Sequence, residues 1–127
     1  MNTAVISLGS NIEPGRNIAE ARRRLREKFN ILSESKFVAT KPVGAAGQPD
    51  FLNGAVLLTT DLEKNTCQAV LRGIEASLGR KRSANKFAAR TIDLDIVVWN
   101  KKIVDQDFYQ RDFLKNSVLE LIPDLKY

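Results

Sequence analysis

One strand constrains the fold of this chain most, because its residues alternate between apolar and acidic. The stretch from Arg90 to Trp99 places its apolar side chains on one face of a strand, and these are Ile92, Leu94, Ile96 and Val98. Asp93 and Asp95 fall side by side on the other face, since alternate residues of a strand share a face. Two adjacent carboxylates either repel each other or share a cation, and Mg²⁺ prefers oxygen ligands. The alternation therefore predicts a half-buried strand that carries a candidate metal site.

A run of cationic residues precedes this strand. Its members are Arg80, Lys81, Arg82, Lys86 and Arg90. A metal-binding carboxylate pair beside a cationic loop is the arrangement that handles a nucleotide polyphosphate. Each feature alone has a simpler explanation, because acidic strand faces often point to water and basic loops are usually only solvated. Their occurrence within about ten residues of each other favours a functional site.

Composition limits the class of protein and the choice of catalytic groups. The 127 residues fit a single domain, 1–127, and the one cysteine allows no internal disulfide, so we expect a reducing, cytoplasmic compartment. No apolar run reaches the length that spans a membrane. The net charge of +5 indicates an anionic partner. Because the chain has no histidine, a catalytic metal would have to bind to carboxylates.

Hydrophobic periodicity and turn residues predict the order strand, helix, strand, strand, helix, strand, strand and helix. Besides the Asp-Leu-Asp strand, the predicted strands are Ala4–Leu8, Lys36–Thr40, Phe51–Thr60 and Lys102–Val104, and the predicted helices are Asn17–Phe29, Lys64–Leu78 and Arg111–Leu121. Gly79 suits a left-handed helix cap, Asn100-Lys101 suits a hairpin turn, and Cys67 has the spacing of a buried hydrophobe. This order predicts an α+β, ferredoxin-like fold, with helices packed against one face of a mainly antiparallel sheet.

Four blocks of the sequence follow one another in the order found in a known enzyme family. They are Leu8-Gly9-Ser10-Asn11; Thr40-Lys41-Pro42-Val43-Gly44 with Gln48-Pro49-Asp50-Phe51-Leu52-Asn53; Ile74-Glu75 with Leu78-Gly79-Arg80-Lys81-Arg82; and Lys86-Phe87-Ala88-Ala89-Arg90-Thr91-Ile92-Asp93-Leu94-Asp95-Ile96. Through them the chain resembles the 6-hydroxymethyl-7,8-dihydropterin pyrophosphokinase family. These folate-pathway enzymes transfer pyrophosphate from ATP to a pterin alcohol and release AMP. The similarity extends over nearly the whole chain.

The resemblance implies a role for each matching residue. Asp93 and Asp95 would bind two Mg²⁺ ions that bridge the ATP phosphates and the hydroxymethyl oxygen of the pterin. Arg80 and Arg90 would be catalytic residues that neutralise the transferring phosphates. The residues implied at the nucleotide are Glu75, Arg82, Lys86, Ile96 and Arg111. The residues implied at the pterin are Thr40, Val43, Phe51, Asn53 and Phe113, where the two phenylalanines stack on the ring and the asparagine pairs with its edge.

Local sequence alone leaves two of these residues open to simpler interpretations. Asn53 could cap the loop backbone, since a side-chain amide has both a donor and an acceptor. Glu75 stands one turn before the end of its helix, where the helix dipole disfavours an acidic residue. It could therefore pair with the cationic loop instead of meeting the sugar hydroxyls of a ligand.

The implied chemistry suits these residue types. The pterin alcohol must lose its proton to attack the β-phosphorus, and a metal on the aspartates can lower the pKa of that hydroxyl where no histidine is available. Charge develops on phosphate oxygens, which the planar fork of arginine binds through two hydrogen bonds. The resemblance thus implies an ATP- and Mg²⁺-dependent pyrophosphokinase. We expect a monomer that acts on two small molecules, without a nucleic-acid or membrane partner.

Two other interpretations remain open. A ferredoxin-like nucleic-acid-binding module is favoured by the basic charge and the arginine-rich first helix, although an acidic strand would repel phosphate. A family member that binds pterin without useful turnover is favoured by the segment between Val104 and Arg111. There this chain lacks the proline-histidine pair that such enzymes usually carry at the nucleotide.

Overall fold

The computed structural model describes residues 1–41, 49–80 and 91–127. Within these residues the chain forms six strands and four helices. The strands are β1 (Asn2–Ser10), β2 (Asn30–Glu34), β3 (Val38–Thr40), β4 (Phe51–Thr60), β5 (Asp93–Trp99) and β6 (Lys102–Ile103). The helices are α1 (Pro14–Lys28), α2 (Lys64–Ser77), α3 (Asp107–Gln110) and α4 (Asp112–Leu121). None of these helices is both long and apolar enough to cross a membrane.

The strands form one sheet, in which each pairing is antiparallel. The order is β2-β4-β1-β5-β6, and β3 pairs with the first residues of β4. The central strand β1 pairs with β4 along its whole length, from Asn2 opposite Thr60 to Ser10 opposite Leu52. Two strand–helix–strand units around an antiparallel sheet make a ferredoxin-like arrangement, so the predicted fold class is confirmed.

The sheet has an apolar core on each of its two faces. Ile6 of β1 and Leu94 of β5 belong to the core that α1 and α2 cover. Val5 of β1 points to the other face, where it belongs to a second core with Phe108 of α3 and Val118 of α4. The prediction that the helices share one face is therefore wrong for the last helix. A strand that is apolar on both faces needs a layer on each side to exclude water.

Most predicted elements are present, with shifted ends. β4 has the predicted bounds, whereas the strand predicted from Lys36 begins at Val38 and the helix predicted from Arg111 begins at Asp112. The sequence does not predict β2, most of whose side chains are exposed, or α3, which has 4 residues. An exposed edge strand and a single helical turn leave little hydrophobic periodicity to detect.

Three local predictions are confirmed. Asn100 and Lys101 have φ angles of 49° and 66°, as the two central residues of a type I′ hairpin turn require. Gly79 has a φ of 89° just beyond α2, in the left-handed region that glycine adopts without strain. Cys67 is buried in the core, and this burial raises the pKa of its thiol to about 11.

Candidate active site

Three neighbouring strands bring the predicted site residues together at one end of the sheet. Gly9 of β1 lies opposite Asp93 of β5 on one side and opposite Asn53 of β4 on the other. Two residues back along β1, Ser7 lies opposite Asp95. Directly opposed residues point to the same face of a sheet, and alternate residues of β1 share that face. These side chains therefore lie on the face that α3 and α4 cover.

A cavity of about 280 Å³ opens on this face. The predicted site residues that line it are Thr40, Phe51, Asn53, Asp93, Asp95, Arg111 and Phe113. Lining residues without a predicted role include Ser7, Gly9, Lys41, Asp105, Asp107 and Ser117. Phe113 lies in α4, which covers the face of the sheet where no helix was predicted. The same helix therefore forms one wall of the cavity.

One end of the cavity is built around Asn53. The Asn53 amide donates a hydrogen bond from Nδ2 to Oγ1 of Thr40, which β3 holds beside β4. A Cβ atom at position 9 would lie 2.7 Å from Oδ1 of Asn53, so the amide sits directly over Gly9. Any larger residue at this point of β1 would push the amide aside. The need for glycine in the Leu8-Gly9-Ser10-Asn11 block is thus steric. It can be recognised only from the register of β1 and β4, which the sequence alone does not give.

The carboxylates of Asp93 and Asp95 form the other end of the cavity. Their side chains are 22% and 35% exposed, respectively. Burial, together with the charge of Asp93, raises the pKa of Asp95 to about 6, while the guanidinium of Arg72 acts in the opposite direction. The oxygens of these two carboxylates are of the kind that Mg²⁺ prefers as ligands.

The described residues do not include three acidic, histidine or cysteine side chains grouped so that they could hold a metal on their own. Mg²⁺ commonly binds one or two carboxylates and completes its shell with water and substrate phosphates. Asp93 and Asp95, which line one cavity, offer two such carboxylates.

Arg80 contacts Asp93 from the α2 side of β5, Glu75 contacts Arg80 there, and neither Arg80 nor Glu75 lines the cavity. Nη1 of Arg80 donates to Oδ1 of Asp93 at 2.6 Å and to Oε2 of Glu75 at 3.0 Å. The Glu75 side chain is 3% exposed, and the same Oε2 accepts the backbone N–H of Leu94 at 2.8 Å. Glu75 thus pairs with an arginine at the start of the predicted cationic segment. Its role at the nucleotide stays a prediction.

Arg72 contacts the site although the sequence predicts no role for it. Its Nη2 donates to Oδ1 of Asp95 at 3.0 Å, and its Nη1 donates to the carbonyl oxygen of Leu94 at 2.9 Å and to Oε1 of Glu75 at 2.7 Å. On sequence alone, an arginine in the middle of an amphipathic helix is read as part of the solvated face. Its spacing of three residues from Glu75 was the available signal, since side chains so spaced are neighbours on a helix.

Asp105 is a further carboxylate in the cavity, and the sequence predicts no role for it. Burial raises its pKa, as do the charges of Asp107 and Asp93. Its Oδ1 accepts the backbone N–H of Asp107, which starts the single turn of α3. Asp105 lies within the segment where the proline-histidine pair was expected, so that segment contributes acidic side chains to the cavity wall.

The remaining predicted residues lie elsewhere or outside the described part of the chain. Ile96 is 7% exposed and belongs to the core beneath α2, on the face of β5 opposite to the carboxylates. Arg111 lines the cavity, and its Nε lies 3.6 Å from Oδ2 of Asp107. The residues outside the described ranges are Val43, Arg82, Lys86 and Arg90.

Comparison with known families identifies the class of enzyme. The sequence profile of the family described as 7,8-dihydro-6-hydroxymethylpterin-pyrophosphokinase (HPPK) matches residues 5–123. The chain belongs to this family. It is accordingly an enzyme of folate biosynthesis that transfers pyrophosphate from ATP to hydroxymethyldihydropterin. The resemblance found in the four sequence blocks, the enzyme class and the use of ATP as co-substrate are confirmed.

Three bacterial relatives bear the name 2-amino-4-hydroxy-6-hydroxymethyldihydropteridine pyrophosphokinase. The protein from Haemophilus influenzae is 30% identical over 98% of this chain and 84% of its own length. The protein from Pseudomonas aeruginosa is 31% identical over 88% of this chain and 79% of its own length. The protein from Campylobacter jejuni is 36% identical over 79% of this chain and 65% of its own length.

Proposed function

We propose that Asp93 and Asp95 bind Mg²⁺ at the point where pyrophosphate passes from ATP to the hydroxymethyl oxygen of 6-hydroxymethyl-7,8-dihydropterin. The observation that carries this proposal is the register of the sheet, in which Gly9 separates Asp93 from Asn53. A flat heterocycle held at Asn53 would therefore have its substituent close to the carboxylates. One cavity wall thus offers both a surface for the pterin and a site for the metal.

The pterin would be held by side chains that match its flat, polar-edged ring. The Asn53 amide has a donor and an acceptor for the ring edge, and its hydrogen bond to Thr40 orients it. Phe51 and Phe113 line the cavity and provide apolar faces for stacking. Val43 is proposed to complete this pocket.

The phosphates would be neutralised by arginine and by metal. Mg²⁺ bound to the carboxylates would lower the pKa of the attacking hydroxyl and offset phosphate charge. In the reaction a bond forms between the hydroxymethyl oxygen and the β-phosphorus, the bond from the β-phosphorus to the bridging oxygen breaks, and AMP leaves with that oxygen. Following the family resemblance, we assign phosphate contacts to Arg80, Arg82, Lys86 and Arg90, and nucleotide contacts to Glu75, Ile96 and Arg111. Arg111 lines the cavity, whereas Arg80, Glu75 and Ile96 lie on the α2 side of β5, where the nucleotide would have to reach them.

Several finer features belong to the same proposal. We propose two Mg²⁺ ions, as the family resemblance implies, because two ions would stabilise the attacking and the leaving oxygens separately. We also propose a single catalytic domain over residues 1–127 that acts as a monomer in the cytoplasm. We also propose that this face binds no nucleic acid, because Asp93, Asp95, Asp105 and Asp107 would repel phosphate wherever no cation lies between them.

The test is the identity of the nucleotide product. The protein is incubated with ATP and MgCl₂, with and without 6-hydroxymethyl-7,8-dihydropterin, and adenine nucleotides are separated by chromatography. We expect AMP to form only when the pterin is present, in equal amount to the pterin consumed. ADP as the product, or AMP formed equally without pterin, would contradict pyrophosphoryl transfer at this site.

A further inference from the structure

Each aspartate of the candidate metal site accepts a hydrogen bond from a different arginine; Arg72 contacts the site through two nitrogens and Arg80 through one, Nη1. Arg80 donates to Oδ1 of Asp93 and to the carbonyl oxygen of Ile92, the residue before it. Arg72 donates to Oδ1 of Asp95 and to the carbonyl oxygen of Leu94, again the residue before it. Each guanidinium therefore fixes one carboxylate relative to the strand backbone that carries it.

Glu75 joins the two arginines into one unit, which we call the guanidinium bracket (Arg72, Glu75 and Arg80). One oxygen of its carboxylate accepts from Arg72 and the other from Arg80. The second oxygen also accepts the backbone N–H of Leu94, which lies between the two aspartates in sequence. The bracket thus contacts β5 at its backbone and at both carboxylates, and it does so from the side away from the cavity.

Arg72 makes several hydrogen bonds to the site although its side chain is partly exposed. Its side chain is 33% exposed, yet both terminal nitrogens donate to acceptors of the site. With the Gln68 amide turned so that its oxygen faces the guanidinium, Nε also donates, at 3.0 Å. A side chain with all its nitrogens engaged loses little further entropy when it orients a neighbour.

The charges of the cluster separate two possible roles for Arg72. Removal of Arg72 would take one positive charge away from the two carboxylates that it contacts, those of Asp95 and Glu75. If Arg72 acted only through its charge, its removal would leave the site more negative and would strengthen cation binding. If it acted through geometry, its removal would release Asp95 and weaken cation binding.

We propose that Arg72 is a positioning residue whose forked hydrogen bonds hold the Asp95 carboxylate in the orientation that binds the divalent cation. This inference rests on the proposed metal site at Asp93 and Asp95. Partners that orient a metal ligand through hydrogen bonds typically contribute about 10- to 100-fold in metal affinity. The planar fork is essential to this role, because a lysine would supply the charge from one point without the fixed pair of donors.

The test is the affinity for Mn²⁺ alone, measured by the EPR signal of the free ion during titration of the purified protein. We expect Arg72→Lys and Arg72→Met each to weaken Mn²⁺ binding by about tenfold. Gln68→Ala should weaken it by a smaller factor, and this variant keeps the arginine. Urea unfolding of each variant establishes that the protein titrated is folded.

Arg22→Met is the matched control. Arg22 is also 33% exposed and binds a carboxylate through two nitrogens, at 2.8 and 3.0 Å, but its partner is Glu34 of β2. Its removal should lower stability without changing the Mn²⁺ affinity. The comparison separates the loss of an arginine–carboxylate pair from the loss of this particular pair.

Three results would overturn the inference. If both Arg72 variants bound Mn²⁺ with wild-type affinity, the bracket would have a structural role only. Wild-type affinity in Arg72→Lys alone would show that charge suffices, and tighter binding by Arg72→Met would show that the arginine competes with the metal. Asp95→Asn distinguishes these results from failure of the metal site itself: if the wild type does not bind Mn²⁺ saturably, or Asp95→Asn binds it as well as the wild type, the proposed site is wrong.

Discussion

Asp95 is in an environment that disfavours its charge. Its pKa is raised from 3.8 to about 6, first by burial and then by the charge of Asp93. The folded state therefore holds the proton more tightly than the unfolded state, and its stability falls as the pH rises from about 4 to about 6. Above that range the folded protein carries the full cost of two neighbouring carboxylates. A bound cation would offset this cost. Groups that serve function commonly lower the stability of the folded protein in this way.

Asp95→Asn should stabilise the protein at pH 7.5. The change removes the charge and keeps an oxygen that can accept from Arg72. The pKa rise, discounted because the side chain is 35% exposed, corresponds to a gain of roughly 1 kcal/mol in the free energy of unfolding. The gain should vanish below about pH 4, where Asp95 is protonated in both states. Urea unfolding at several pH values, in buffer without Mg²⁺, measures this gain in the free energy of unfolding.

Asp124→Asn is the control for this measurement, since Asp124 is exposed and lies outside the cavity. It should leave the stability unchanged at each pH. A loss of stability in Asp95→Asn at pH 7.5, or a gain that persists at pH 3.5, would contradict the assigned electrostatics.

Gly9→Ala should damage the pterin end of the cavity. The new Cβ would lie 2.7 Å from Oδ1 of Asn53, so the amide would have to leave its place beside Thr40. We expect affinity for the dihydropterin, followed by its fluorescence, to fall by at least about tenfold, since one misplaced hydrogen-bonding group costs about 1 to 3 kcal/mol.

Gly15→Ala is the matched change, because a Cβ at that position meets no atom within 4 Å. It should leave pterin binding unchanged and should slightly stabilise α1. Pterin binding by Gly9→Ala with wild-type affinity would mean that the position of Asn53 over Gly9 is unimportant for the ligand.

Among the elements, the hairpin between β5 and β6 offers a clean test of backbone strain. Lys101 has a φ of 66° in the turn, a conformation that costs a residue with a side chain about 1 kcal/mol. Lys101→Gly should therefore raise the free energy of unfolding by about 0.5 kcal/mol, after allowance for the greater entropy of glycine in the unfolded chain. Chemical denaturation measures the difference.

Lys102→Gly provides the neighbouring control. Lys102 is exposed and lies in β6, opposite Trp99, where the backbone is extended. Glycine should destabilise the protein there, because it loses more freedom in a strand than other residues. Equal destabilisation by both changes would contradict the assignment of the turn.

Local sequence patterns predict these elements where a periodic apolar face continues for several residues. β4 and the start of α2 at Lys64 agree with the sequence. The face that the last helix covers does not follow from its own periodicity, because an amphipathic helix can pack on either side of a sheet. The buried Val5 on the second face of β1 was the residue that required a second layer.

The candidate site, like the fold, could be predicted from the sequence only in part. The spacing of Asp93 and Asp95 alone indicates a shared face, and both line the cavity. The pairing of Arg72 with Glu75 could be inferred from their spacing, but its contact with Asp95 could not, because that contact joins residues far apart in sequence and depends on how α2 lies against β5. The steric role of Gly9 likewise depends on the register between β1 and β4.

At the scale of the whole molecule, the site lies where both layers of helices reach the sheet. α4 contributes to the cavity through Phe113, and α2 reaches β5 through the guanidinium bracket. Of the described strands, β6 pairs with β5 at Val98 and Trp99 alone. Near the start of β5, side chains of the guanidinium bracket bind the backbone groups of Ile92 and Leu94 instead. Carboxylates held between rigid elements are suited to catalysis, which requires accurate placement of the reacting groups.

The most direct test of the central claim compares AMP formation by the wild type, Asp93→Asn and Asp95→Asn with saturating ATP, MgCl₂ and dihydropterin. If the two carboxylates hold the metal on which transfer depends, each variant should lose at least about a thousandfold in kcat while remaining folded. Asp124→Asn should keep the wild-type rate. If Asp95→Asn retained more than about a tenth of that rate, a level that loss of a metal site does not permit, the placement of the reaction at this carboxylate pair would be wrong.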